Sequence, residues 1–280
     1  NEITNIYIFY IKKFINNFNI KIKNIDIIGL SGQTMFHNPK KKISIQLGLG
    51  KQISRYFKIN VISDFRNNDI KNGGQGAPIG SFYHKYLLKK INPNAIIINL
   101  GGICNFSKIF KNKILSSDIG PANCLSDDIS YFFFKRKYDY NGIYAHKGKP
   151  NFNIIKKFKS DNIFKRKYPF SLDRNYFTYY YKILKKINKN DALSTAIYFV
   201  LISILSLKKN NINFNEIILT GGGRKNKYLV NLLKKEFSGT KVNTIDHYNF
   251  NGDLIESQMF AYLAVRSLNK LVISSPSSTG

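Results

Sequence analysis

The sequence predicts an α/β protein of two lobes, and three observations carry that expectation. Apolar runs rich in β-branched residues alternate with amphipathic segments of helical length. A turn cluster, Asn92-Pro93-Asn94, separates residues 1–93 from residues 94–280. Directly after it, three strand-like runs follow one another before helices and strands begin to alternate.

In the first lobe, strands are expected over Ile25–Leu30, Ile43–Leu47 and Val61–Ser63, and helices over Tyr7–Phe18, Gly50–Phe57 and Ile79–Lys89. The second lobe opens on Ala95–Leu100, an uninterrupted apolar run suited to a buried central strand. Strands over Ile103–Ile109 and Lys113–Ser117 follow, joined by Gly101-Gly102 and Lys111-Asn112. Helices are then expected over Cys124–Lys135, Phe152–Phe158, Tyr176–Ile187 and Ala192–Lys208. A strand at Glu216–Thr220, a helix over Asn226–Phe237, a strand at Lys241–Thr244 and a helix over Asp253–Ser267 complete the order. Three strands followed by alternating helix and strand suit an RNase H-like lobe.

Composition narrows the function classes. The 280 residues are 43% hydrophobic and 14% aromatic, enough to bury a substantial core. Lys and Arg number 44 against 16 Asp and Glu, a formal charge of +28, which alone invites a nucleic-acid reading. The lysines, however, are scattered in ones, twos and threes among equally abundant Asn and Ile. That is the mark of a biased codon pool, whereas a binding surface concentrates charge on particular elements. No specific nucleic-acid partner is expected. Cys104 and Cys124 are too few for a disulfide framework and lack zinc-site spacing, so a reducing cytoplasm is the expected setting. Ser194–Leu207 is shorter than the roughly 20 residues of a membrane span, so it is expected to be a buried helix with no membrane partner. No secretory pattern is expected at the amino end. The chain opens on Asn1 inside what reads as a helix and stops at Gly280 in a turn, so both ends are expected to be cut.

Several segments could carry chemistry. Asp64 to Pro78 is too polar for a core element, and its glycines Gly73, Gly74 and Gly76 allow a ligand close to the backbone. Within it Arg66 can fork onto a carboxylate, while Asp69 and Gln75 can bond hydroxyls, which suits a sugar acid; an ordinary long connector is the alternative. Ser31-Gly32-Gln33-Thr34 follows an apolar strand, at the end where α/β ligands sit, with the lone His37 nearby. Asp118, in Asp-x-Gly-Pro, joins the third strand of the second lobe to a helix, where a carboxylate serves either as a base or as a turn or N-cap residue. Gly101-Gly102 and Gly221-Gly222-Gly223 both end strands, and Asn226 opens the helix after the second. Two such turns in one lobe favour a nucleotide cleft whose backbone N–H groups wrap phosphates, although no Walker-type Lys accompanies them.

The phrases GQTMFHNP, SIQLG, DFRNNDIKNGGQGAP, INLGGICN, DIGPAN, SLDRNYF, LTGGGRKN and ESQMFAYLA, in this order, resemble the anhydro-N-acetylmuramic acid kinase family from Asp26 to Gly280. The resemblance implies a two-lobed, actin-like ATPase fold with sugar and ATP meeting between the lobes. It implies that ATP and water convert 1,6-anhydro-N-acetylmuramic acid to N-acetylmuramic acid 6-phosphate during cell-wall recycling. By the family's pattern Asp118 is the general base for the water that attacks the anomeric carbon. Gln33, Arg66, Asp69, Gly74 and Gln75 fall on the sugar side, with Arg66 a partner for the lactyl carboxylate. Gly101, Gly102, Gly221, Gly222, Gly223 and Asn226 fall around the nucleotide, and Mg²⁺ neutralises its phosphates. The small-molecule partners are thus an amino sugar and ATP, and a homodimer is left open.

The sequence also departs from that pattern. The family's opening Gly-Met-Ser-Gly-Thr-Ser-x-Asp-Gly phosphate grip has no counterpart, leaving the first lobe incomplete at its amino end, and the usual segment after Gly280 is missing. Ser31 stands where the family usually has His, Ile119 replaces a small or polar residue, and Ala122 replaces Gly. Poor ATP turnover is therefore expected of these 280 residues, and a catalytically impaired sugar-binding remnant is the competing expectation.

Overall fold

Helix α1 (Glu2–Asn17) carries apolar side chains at Tyr7, Ile8, Ile11 and Ile15, a helical spacing that buries one stripe against Leu30, Ile53 and Phe57. It opens a computed structural model that describes residues 2–280. Strands β1 (Ile27–Gly29), β2 (Gln33–Asn38) and β3 (Ile43–Leu47) follow, then α2 (Gly50–Phe57), β4 (Asn60–Ile62), the short α3 (Asn67–Lys71) and α4 (Ser81–Ile91). β1 and β4 pair in parallel, and β2 and β3 form an antiparallel hairpin with an irregularity between Thr34 and Phe36.

The chain continues through β5 (Ile96–Leu100), β6 (Ile103–Phe110), β7 (Lys113–Pro121), α5 (Asn123–Phe134), α6 (Ile143–Lys147), α7 (Phe152–Lys159), α8 (Thr178–Leu184) and α9 (Lys189–Lys209). Next come β8 (Glu216–Thr220), α10 (Lys227–Glu236), β9 (Lys241–Thr244), α11 (Ile255–Leu268) and α12 (Pro276–Thr279). The main sheet runs in the order β7-β6-β5-β8-β9. β5, β6 and β7 are antiparallel neighbours, whereas β8 is parallel to β5 and β9 parallel to β8. This is the RNase H-like arrangement that three consecutive strands followed by helix–strand alternation predict. β5 is central because Ile96, Ile97 and Ile98 leave nothing polar for either face.

Two compact units divide the chain: Asn1–Tyr83 with Glu256–Gly280, and His84–Ile255. The division expected at residues 93 and 94 thus falls earlier, in the first turn of α4, and α11 and α12 return to the first unit. Gly29 is part of the reason. A Cβ there would stand 2.4 Å from the carbonyl oxygen of Phe260, so β1 meets the α11 backbone at a distance no other residue tolerates. Phe65, Ile79, Phe260, Leu263 and Ala264 fill the core beside that contact.

In the second unit α9 is longer than expected, 21 residues, and by length and composition alone it could cross a membrane. Its side chains nonetheless lie in the core, with Leu193, Ala196, Ile197, Val200, Ile204 and Leu207 almost wholly buried. A helix that is apolar all round is one covered on every side. Asn188 caps its start by accepting the Asn190 N–H. His84, fully buried, bonds Ser107 through Nδ1 at 2.8 Å, and Ser107 bonds Ser116 at 2.9 Å. Burial lowers the His84 pKa to about 4, so the ring is neutral in this chain of hydroxyls.

Candidate active site

In the first unit, the polar loop after β4 folds around Asp69, which sits in α3. Its Oδ2 accepts the Gly76 N–H at 2.7 Å, and its Oδ1 accepts the Thr279 hydroxyl at 2.8 Å. Gly74 lies against the same carboxylate, since a Cβ there would come within 2.3 Å of Oδ2. Arg66 donates from Nη1 to the Gly76 carbonyl at 2.7 Å, and the Gln75 N–H donates to the Thr279 carbonyl at 2.7 Å. Arg66, Asp69, Gly74 and Gln75 are therefore brought together. The arrangement adds something the sequence did not suggest: Asp69 organises the loop, using two of the roughly four acceptor sites of a carboxylate.

Gln33 opens β2, exposed and opposite Leu47. Next to it a cavity of about 250 Å³ is lined by Ser31, Ser44, Gln46, Ser63, Asp64 and Asn67, among others. Asn67 fixes Asp64 through a 2.6 Å hydrogen bond and also reaches the Ser44 carbonyl at 3.2 Å. Sequence reasoning passed over Ser44, Gln46 and Asn67. The signal was the alternation in SIQLG, which sends Ser44 and Gln46 to one face of β3.

Asp118 belongs to the second unit and corrects one expectation. It lies inside β7, which runs on to Pro121, rather than at a strand end or a helix cap. Across the ladder Asn105 faces Asp118 and Cys104 faces Gly120, so Ile119 is the extra residue of a bulge. A bulge re-aims the side chains beside it. Here Ile119 goes into the core, and Asp118 is 5% exposed with Oδ2 accepting the Leu172 N–H at 2.7 Å. The Asp118 N–H donates to the Phe170 carbonyl at 3.0 Å. The 170–172 segment thereby holds Asp118 by both its backbone and its carboxylate. Burial first, and then the Asp118 charge, push the Cys104 thiol upward, keeping it an inert core residue.

The glycine turns have distinct jobs. The Gly101 and Gly102 carbonyls accept N–H groups from Ala122, Asn123 and Cys124, which satisfies the start of α5. Gly221 has φ +74°, and a Cβ on it would meet the Leu100 carbonyl at 2.7 Å. Gly223 is equally tight, its Cβ position being 2.7 Å from Leu100 Cβ and 2.8 Å from Asn123 Oδ1. Gly101, Gly102 and Gly222 by contrast have nothing closer than 3.5 Å. Arg224 locks the second turn. Nearly buried, it donates to the Gly221 carbonyl at 3.1 Å, to Asp246 at 2.7 Å and to Asp253 at 2.9 Å. Those bonds hold the Asp246 carboxyl down at about 2.

Gly222, Gly223 and Asn226 line one cavity of about 470 Å³ together with Asn123, Asp127 and Asp139. Tyr138, Tyr140, Asn141 and Lys225 contribute to its walls. Asn226 also caps α10, accepting the Leu229 N–H at 3.0 Å, and Asn123 donates to the Leu100 carbonyl at 2.9 Å. The open space at Gly222, the backbone N–H groups that open the turn after Gly221, and aromatic walls suit a phosphate-bearing ligand with a planar base. Sequence reasoning missed Asp127. Burial first, and then the adjacent charge of Asp128, push its carboxyl up to about 7, while Arg174 opposes the shift. Asp128 itself is forked by Arg174 at 2.7 and 2.9 Å.

A family model described as anhydro-N-acetylmuramic acid kinase matches residues 1–280. The chain is 40% identical over 269 residues to the anhydro-N-acetylmuramic acid kinase of Pelagibacter ubique, across 91% of this chain and 71% of that protein. It is 31% identical over 279 residues to the kinase of the same name from Legionella pneumophila, across 96% and 76%. Against that from Zymomonas mobilis it is 33% identical over 273 residues, across 96% and 74%. Among solved structures, an activator of the 2-hydroxyisocaproyl-CoA dehydratase from Clostridium difficile with bound ADPNP is similar at a TM-score of 0.43. That likeness carries 14% identity and covers 83% of this chain and 90% of the other.

Proposed function

The chain belongs to the anhydro-N-acetylmuramic acid kinase family, and from that membership we propose that it opens 1,6-anhydro-N-acetylmuramic acid with water and phosphorylates it from ATP. Asp118 takes a proton from the water as its oxygen bonds the anomeric carbon. The bond from that carbon to the 6-oxygen breaks as positive charge develops on the ring. The freed 6-oxygen then takes the γ-phosphoryl group, and ADP leaves with the electrons of the broken phosphoanhydride bond. The observation that carries this reading is a buried carboxylate at a strand bulge, held by the Leu172 N–H at 2.7 Å. A carboxylate fixed in this way is a positioned acceptor for the proton that the water gives up.

Arg66, Gln33 and the Gly74–Gln75 loop are proposed to bind the sugar, Arg66 by a charge-assisted contact to the lactyl carboxylate. The cavity at Gly222, Gly223 and Asn226 is proposed to hold the nucleotide. A magnesium ion would supply charge neutralisation to the phosphates. Such an ion needs only one or two carboxylates plus phosphate oxygens. We place the activity in the cytoplasm without a nucleic-acid partner. Nothing in the comparisons favours a non-catalytic remnant.

The test is to supply ATP and the anhydro sugar in water enriched in ¹⁸O. Sugar-dependent ADP release is expected, with label on the anomeric carbon and none in the phosphoryl group. Label in phosphate, or ADP release indifferent to sugar, would overturn the assignment.

A further inference from the structure

Asp127 lies one helical turn beyond Asn123 on α5, and both line the same cavity. Among the described residues nothing donates a hydrogen bond to its carboxylate. The other charged groups of the cavity are already engaged. Asp139 accepts the N–H groups of Tyr144 and Ala145 at 3.0 and 2.9 Å, and Lys225 pairs with Asp253 at 2.6 Å. A half-buried carboxylate without donors is costly to keep. It is therefore an acceptor aimed at something that enters the cavity.

We propose that Asp127 accepts the ribose hydroxyls of the bound nucleotide and makes the site prefer ribonucleotides to deoxyribonucleotides. This rests on the nucleotide reading of the cavity given above. Asn123 lies against Gly223, where the nucleotide reading puts the phosphates beside backbone N–H groups. One turn farther along α5, about 5.4 Å, is where the moiety next to the phosphates comes to lie, and that moiety is the ribose. Phosphate itself would be repelled by a carboxylate. A vicinal diol offers two donors to its two oxygens, a match of the kind that dinucleotide folds also use.

Asp128 and Arg174 face Asp127 from outside the cavity, and Asp139, Lys225, Tyr138 and Tyr140 from within it. Burial and the Asp128 charge raise its pKa to about 7. The ionised carboxylate is the stronger acceptor, so discrimination should grow as pH rises through neutrality.

Binding of ATP, 2′-deoxy-ATP and 3′-deoxy-ATP is measured calorimetrically for the wild type, Asp127→Asn and Asp127→Ala. The wild type is expected to bind at least one deoxy analogue about tenfold more weakly, the loss of one charge-assisted hydrogen bond. The ratio should be larger at pH 8 than at pH 6; the nucleotide's own titration cancels in it. Asp127→Ala should bring the ratio close to one, with Asp127→Asn between. Both variants should keep or raise the thermal midpoint at pH 7.5, because each removes a charge that burial and Asp128 disfavour. A wild type that binds ATP and its deoxy analogues alike sinks the proposal, as does a ratio that survives in Asp127→Ala. If the wild type bound none of the three, the nucleotide reading itself would fail and take the proposal with it.

Discussion

Replacing Asp118 with Asn separates a base from a brace. The substitution keeps the shape and one acceptor for the Leu172 N–H, now at 2.7 Å from a carboxylate oxygen, but it cannot take a proton from water. A hydrogen bond to a charged group contributes about 1.5–3 kcal/mol and a neutral one about 0.5–1.5 kcal/mol, so about 1 kcal/mol of stability is at stake. In a chain of this size that lowers the thermal midpoint by about 2–4 °C. General base catalysis contributes about 10² to 10⁴ in rate, so kcat should fall by that factor, about 3–5 kcal/mol in activation free energy. Sugar affinity should hardly move, because the lost interaction belongs to the transition state. The assay follows ADP release, sugar binding by calorimetry and thermal melting on the same two preparations. Asp118→Asn retaining most of its turnover, with a lowered midpoint, would mean that Asp118 only braces the 170–172 segment.

Two neighbouring glycines should respond in opposite ways. Gly221→Ala puts a Cβ 2.7 Å from the Leu100 carbonyl at φ +74°, which should destabilise the fold by about 2–5 kcal/mol in urea titrations. Gly222→Ala meets nothing closer than 3.8 Å, so stability should change by less than about 0.5 kcal/mol while ATP affinity drops at least tenfold; unchanged affinity would mean that no ligand approaches Gly222. His84 should make the fold acid-sensitive. Its folded pKa of about 4 lies below the unfolded value of 6.5, so below pH 6.5 the unfolded chain binds a proton that the folded one refuses. Stability is then lost as pH falls from about 6.5 to about 4, by about 3 kcal/mol in all. His84→Gln should flatten that limb of the urea midpoint against pH, and equal slopes for both proteins would remove His84 from the account.

Where hydrophobic pattern alone decides an element, it was legible. β3, α2, β8 and β9 lie on the expected residues, and β5 differs by one. The miss at β2 has a physical cause: Gln33–Asn38 is largely exposed and pairs with one neighbour only, so no buried face imposes alternation. Asp118 was assigned to a strand end because Gly120 and Pro121 read as a turn, yet a bulge lets both continue the ladder. Asp69 could be picked out as a polar loop residue, but its bond to Thr279 joins positions 210 apart and leaves no local trace. Asp127 had a signal that went unused. It is an acidic pair with Asp128 in a chain with 16 acidic residues, four places after Asn123.

The first unit is assembled from two stretches of sequence, Asn1–Tyr83 and Glu256–Gly280, whereas the second is continuous. A ribosome releases the chain from its amino end, and folding units form as they emerge. Residues 84–255 can therefore complete their five-stranded sheet while the last part of the chain is still being made. The loop around Asp69 has to wait for Thr279. Until then β1 exposes the bare backbone at Gly29 that α11 will cover, and the first unit is the half that a nascent-chain chaperone would have to shield.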